Sequence, residues 1–141
     1  MLVLPTGQIL FTDFSNDIEI FTPTKGHPEH SEPVVTSAPM FLHDGGSYRI
    51  FGFRLNGMSQ GAAYGDDIQG ATNYPLVRLT NLINGHVRYS RTHDHSSMAV
   101  ASNDLVSTHF DVPGDQEPCI CRLEVVANGI ASGPVIVFVG R

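Results

Sequence analysis

The chain has no tryptophan, only two cysteines and few charges, with 8 Lys and Arg against 14 Asp and Glu in 141 residues. Each scarcity removes a class of function. At a formal charge of −6 there is no basic stripe to neutralise phosphates, so nucleic acid is not an expected partner. No apolar run approaches the roughly 20 residues of a membrane-spanning helix, so no membrane partner is expected. The start, Met1-Leu2-Val3-Leu4-Pro5-Thr6-Gly7, lacks a basic segment and a long apolar segment, and no signal peptide is read there. Cys119 and Cys121 are too few to hold a soft metal as thiolates. As near neighbours on one extended strand they are awkward to bridge, and two half-buried thiols are expected. Helical periodicity is also missing, because Gly or Pro interrupts nearly every window of helix length.

What is plentiful is turn chemistry, with 14 Gly and 9 Pro, set between short β-type runs. A chain this long makes about one domain and buries roughly 68–70% of its unfolded surface, so a core of its own is expected. Three zones follow. Residues 1–23 carry short apolar runs (Leu2-Val3-Leu4, Ile9-Leu10-Phe11, Ile18-Glu19-Ile20-Phe21) at hairpin spacing. Residues 24–33 are polar and rich in Pro and Gly, a linker. Residues 34–141 hold strand candidates at 34–40, 47–53, 76–80, 86–91, 97–101, 105–112, 119–127 and 134–139. That spacing predicts an all-β, immunoglobulin-like sandwich preceded by a short hairpin. The long connection 56–74 fits neither strand nor helix, and loops of that length are often functional.

The richest stretch is 91–112, which carries three of the seven histidines. If Ser102-Asn103-Asp104 turns a hairpin, alternation puts Met98, Val100, Val106, Phe110 and Val112 on a core face. The other face then collects His93, His95, Ser97, His109 and Asp111, with Ser97 opposite His109 and His95 opposite Asp111. His93, His95 and His109 form a candidate site for zinc or copper, with Asp111 as a further ligand or an orienting group. A solvated face on which His, Ser and Asp are simply acceptable polar residues explains the same pattern. A hydrolase reading uses Ser97 as nucleophile, His109 as base and Asp111 as orienter, with His95 the more direct partner of Asp111. It lacks a Gly-x-Ser-x-Gly elbow.

Several of these segments resemble the C-terminal immunoglobulin-like domain of galactose-oxidase-like and glyoxal-oxidase-like proteins, where it follows a seven-bladed Kelch-type propeller. The segments are Leu76-Val77-Arg78, Thr92-His93, Thr108-His109-Phe110-Asp111-Val112-Pro113, Leu123 through Ile130, and Val135 through Val139. Leu4-Pro5-Thr6-Gly7-Gln8-Ile9-Leu10 looks like the hairpin of a last propeller blade. The resemblance implies an extracellular accessory domain and gives His93 the place of a histidine that reaches the propeller and ligates copper. The remaining copper ligands of that family belong to the propeller and are not expected among these residues. Asp94-His95-Ser96-Ser97 also departs from the family's residues after the matching histidine. Autonomous radical-copper oxidation is therefore not expected.

Three further features complete the reading. Tyr64 and Tyr74 flank the long connection and are the aromatic pair a polysaccharide-binding module would use. Asp66 and Asp67, with Gln69 and Asn73, are oxygen donors without the spacing of a calcium loop, and Gly65 marks a turn. His27-Pro28-Glu29-His30 lies in the linker and is assigned no function. The leading expectation is an accessory domain; a small metal-dependent hydrolase and a carbohydrate-binding module are the alternatives. Because a lone hairpin is marginal in water, the apolar residues of 1–23 are expected to fold back on the sandwich, meet a second copy, or pack on a propeller domain.

Overall fold

The computed structural model describes residues 1–13, 15–60 and 70–141. The chain is an all-β sandwich, as its alternation predicts. The first zone gives β1 (Leu2–Val3), β2 (Ile9–Phe11) and β3 (Glu19–Phe21). The sandwich contains β4 (Val34–Ser37), β5 (Phe41–His43), β6 (Ser47–Phe53), β7 (Leu76–Asn81) and β8 (Val87–Ser90). It continues with β9 (Thr92–His93), β10 (Val106–Asp111), β11 (Cys119–Ala127), β12 (Ile130–Ala131) and β13 (Val135–Gly140). One sheet has the order β4-β6-β10-β9 and the other β5-β13-β11-β7-β8, with β12 paired to β11. The first zone makes its own sheet, β1-β2-β3.

The core lies between the two large sheets. Ile50 and Phe110 from one meet Leu42, Val77, Leu79, Leu123, Val125 and Val137 from the other, all at most 1% exposed. Alternate burial along β7 and β10 is the direct product of alternate apolar residues. Val106, Phe110 and Val112 fall in the core as the pattern predicts, whereas Met98 remains 43% exposed. The expected strand at 97–101 does not form; those residues turn and carry no ladder. Cys119 and Cys121 are joined by a disulfide, correcting the expectation of two thiols. Their Cα atoms are 5.4 Å apart, within bridging range, and both face the core.

The first zone folds back on the sandwich at the β11–β12 turn and where the Gly70 amide donates to the Met1 carbonyl. Ala127 pairs with Ile130 across Asn128-Gly129, both at positive φ (51° and 73°), the geometry of a tight two-residue hairpin turn. A Cβ on Gly129 would lie 2.8 Å from the Val3 side chain and 2.9 Å from the Gly7 Cα and the Leu4 carbonyl. Asn128 fastens neighbouring loops: its Oδ1 accepts from the Met58 amide, and its Nδ2 donates to the Ser59 carbonyl and to Thr72 Oγ1. The β3 edge of the small sheet is bare, with Ile18 just before it and Ile20 and Phe21 on it at 66%, 58% and 59% exposure.

Candidate functional site

The histidine-bearing strands assemble in a different register from the one expected. His109 pairs with His93, not Ser97, and Phe110 pairs with Thr92. The Asp111 amide donates to the Arg91 carbonyl, so His95 is not opposite Asp111. On the far side of β10, His109 lies across from Arg49 and Asp111 across from Ser47. The outer face of this sheet therefore carries the row His93–His109–Arg49 beside the row Arg91–Asp111–Ser47.

His93 is clamped between two carboxylates. Its Nε2 lies 3.0 Å from Asp111 Oδ1 and its Nδ1 lies 3.0 Å from Asp94 Oδ2. Ser47 Oγ stands 3.3 Å from the same Nε2. Hydrogen bonding to Asp111, and secondarily to Asp94, raises the His93 pKa, because both nitrogens must carry hydrogens to serve both acceptors. The Asp111 pKa is lowered, first by the Ser47 hydroxyl and then by His93. His109 stacks on His93 with ring centroids 5.6 Å apart. Arg49 Nε, a donor only, sits 3.1 Å from His109 Nε2, so that nitrogen accepts.

Asp94 has φ +49° and turns the chain sharply after β9. Ser96 then donates to the Ser107 carbonyl, which offsets the ladder by one residue relative to Arg91 and Asp111. A one-residue offset reverses which side a side chain faces. His95 accordingly turns toward the core-facing side of β10, where its Nδ1 meets Thr108 Oγ1 at 2.9 Å. Tyr74 packs against the His95 ring nearly perpendicularly, centroids 4.9 Å apart, and donates from its hydroxyl to the Thr92 carbonyl. Thr92 Oγ1 in turn bonds the Pro75 carbonyl. Burial, and then the charge of His93, lower the His95 pKa, so the two histidines shift in opposite directions.

The geometry thus brings His93, His109 and Asp111 together and sets His95 and Ser97 apart from them. Ser97 Oγ accepts from the Ala99 amide and its carbonyl accepts from Asn56 Nδ2, so it builds a turn rather than facing a base. The residues present do not fit zinc or copper. Both His93 nitrogens face carboxylates, His109 Nε2 faces Arg49, and among the described residues no group of three His, Cys, Asp or Glu could hold a metal ion. Beside the clamp lies an open cleft of about 760 Å³ lined by Ser47, Tyr74, Leu76, Arg91, Thr92, His93 and Asp111. Tyr64, Gly65, Asp66, Asp67 and Gln69 lie outside the described residues. In the linker, His27 Nδ1 meets the Pro28 carbonyl and Ser31 Oγ, a local turn.

A second polar cluster gave no sequence signal. Glu117 accepts from Asn81 Nδ2 at 2.8 Å and Asn84 Nδ2 at 3.0 Å, and lies 3.1 Å from His86 Nδ1. Those bonds, Asn84 foremost, lower its pKa and tie the β7–β8 turn to the segment entering β11. Its residues are scattered over 81–117, and only the fold unites them. No protein-family model matches this chain, and no curated protein matches it.

Proposed function

We propose that the chain is a non-catalytic accessory β-sandwich domain of a galactose-oxidase-like extracellular protein, docking on a neighbouring β-domain through the β1-β2-β3 sheet. The observation that carries this reading is the apolar exposure at the β3 edge of that sheet. Ile20 and Phe21 of β3, on its two faces, and Ile18 just before it are each more than half exposed. Its outer strands β1 and β3 have one partner each, and unpaired strand edges invite pairing with further strands. The three-strand meander is the shape expected of an incomplete propeller blade. The engagement of both His93 nitrogens with carboxylates supports a positioning role for the histidine face over chemistry by this chain alone. The Cys119–Cys121 disulfide supports an extracellular setting. The test is calorimetric titration of the chain into the purified propeller domain of a galactose-oxidase-like protein. Binding with a Kd of roughly 10 µM, weakened at least about tenfold by Ile20→Asp, is expected; no binding at about 100 µM would count against the docking role.

A second reading is favoured by the cleft beside His93. Tyr74 and Leu76 give it an apolar wall, while Arg91, Asp111 and Ser47 offer donors and acceptors, the mixture that suits a polysaccharide. Titration with soluble xylan and with cellohexaose tests it; a Tyr74→Ala-sensitive response is expected on this reading, and no response at about 10 mM sugar would remove it.

A further inference from the structure

We infer that the outer face of the six-stranded sheet is an interface with a second copy of this chain. The pairing registers build one row across it: Phe41 beside Phe138, Phe138 beside Ile120, and the Leu82 amide bonded to the Ile120 carbonyl. Ile136 and Val87 stand in the next row, at either side of Arg122 and Thr80. The opposite side of each strand is committed to the core, so these six side chains have no role in the fold's interior. Their exposures run from 39% for Phe138 to 67% for Phe41.

Area decides whether this matters. With about 200 Å² for a large apolar side chain, the six expose on the order of 600 Å². The largest apolar patch on a typical monomer is about 300–600 Å². A standard interface buries roughly 800 Å² per partner, of which about 500 Å² is apolar. The face therefore offers the apolar share that a stable dimer needs without help from the rest of the molecule.

Charge and shape select a second copy as the occupant. The ionic groups on this face converge on Glu124, whose carboxylate takes Arg78 at 2.9 Å and Arg122 at 3.3 Å. Among the described residues of this face, Arg78 and Arg122 are both paired with Glu124. A two-fold axis through the middle of the row lays the aromatic end, Phe41 and Phe138, on the aliphatic end, Ile120 and Leu82. Two sheets meeting this way pack about 10 Å apart, as the sandwich's own sheets do. The inference rests on this face alone and is independent of what the β1-β2-β3 sheet binds.

Sedimentation equilibrium of the whole chain is the test, with Phe41→Lys and Phe138→Glu as variants and Ile20→Asp as the control on the small sheet. The expected result is a wild-type dimer at about 100 µM that weakens at least tenfold in Phe41→Lys and persists in Ile20→Asp. Phe138 lies within a strand and Phe41 on an edge, so Phe41→Lys decides the matter if Phe138→Glu fails to fold by circular dichroism. A wild-type monomer at that concentration, or a dimer untouched by Phe41→Lys, would overturn the inference.

Discussion

The two large sheets turn opposite kinds of surface to the outside. The β4-β6-β10-β9 sheet presents His93, His109, Asp111, Arg49 and Ser47, a set whose main contacts are with one another. The β5-β13-β11-β7-β8 sheet presents Phe41, Phe138, Ile120, Ile136 and Val87, each between 39% and 67% exposed. A polar face most of whose donors and acceptors answer each other gains little from burial, and His109 Nδ1 is its unpartnered exception among the described residues. An apolar face of this extent leaves free energy unrealised until something covers it. The residues that look most like chemistry are thus internally occupied, and the residues that look like ordinary strand-formers are the ones available for interaction.

Breaking the one charged cluster on the apolar face has the largest expected effect. Glu124 is only 8% exposed at its side chain, and Glu124→Ala leaves the half-buried Arg78 without its carboxylate. Urea unfolding is expected to show a loss of roughly 3 kcal/mol, and His93→Ala on the polar face far less. A loss below about 1 kcal/mol for Glu124→Ala would put the pair on the solvated surface. Next in size is Gly129→Ala, which adds a Cβ at φ +73° against Val3, Gly7 and Leu4. A loss of roughly 2 kcal/mol is expected, with faster amide exchange in residues 1–13; unchanged exchange there would deny that this turn anchors the small sheet.

Smaller effects sharpen the polar face. In a proton NMR titration His93 is expected to titrate above the ordinary 6.5 and His95 below it. Asp111→Asn should lower the His93 midpoint, and by more than Asp94→Asn does. A His93 midpoint at or below that of His95 would break the clamp. Because the folded pKa of His93 is raised, its bonds favour the folded state fully below about 6.5, and this contribution fades as pH rises through the folded value. Asp111 is shifted downward, so its contribution is present above about 3.8 and is lost as pH falls through its folded value. The smallest expected change is with metal: incubation with zinc or copper followed by elemental assay should leave under about a tenth of an equivalent, since both ring nitrogens of His93 face carboxylates and His109 Nε2 faces Arg49. One equivalent lost in His93→Ala would show that the clamp opens for a metal.

Much of the sandwich was legible because alternation writes burial directly into sequence. Leu76 to Asn81, Val106 to Asp111 and the first half of the long Cys119–Ala127 strand carry the pattern. The edge strand Phe41–His43 was not legible, since three residues pairing in parallel with β13 leave no local signature. The histidine site was half legible. The expected register erred by four residues, an even number, so His93, His109 and Asp111 still share a face. Asp94 at positive φ then offset the ladder by one and removed His95. Aspartate tolerates that conformation but does not announce it. The disulfide was missed because an ideal extended strand separates i and i+2 by more than the 5.4 Å found here.

The most direct test of the contrast between the two faces is a dilution series followed by isoleucine methyl NMR. Ile120 and Ile136 stand on the apolar face, Ile18 and Ile20 on the small sheet, and Ile50 in the core. The account predicts concentration-dependent shifts at Ile120 and Ile136, with Ile50, Ile18 and Ile20 unmoved. Shifts confined to Ile18 and Ile20, or none anywhere up to about 200 µM, would contradict it.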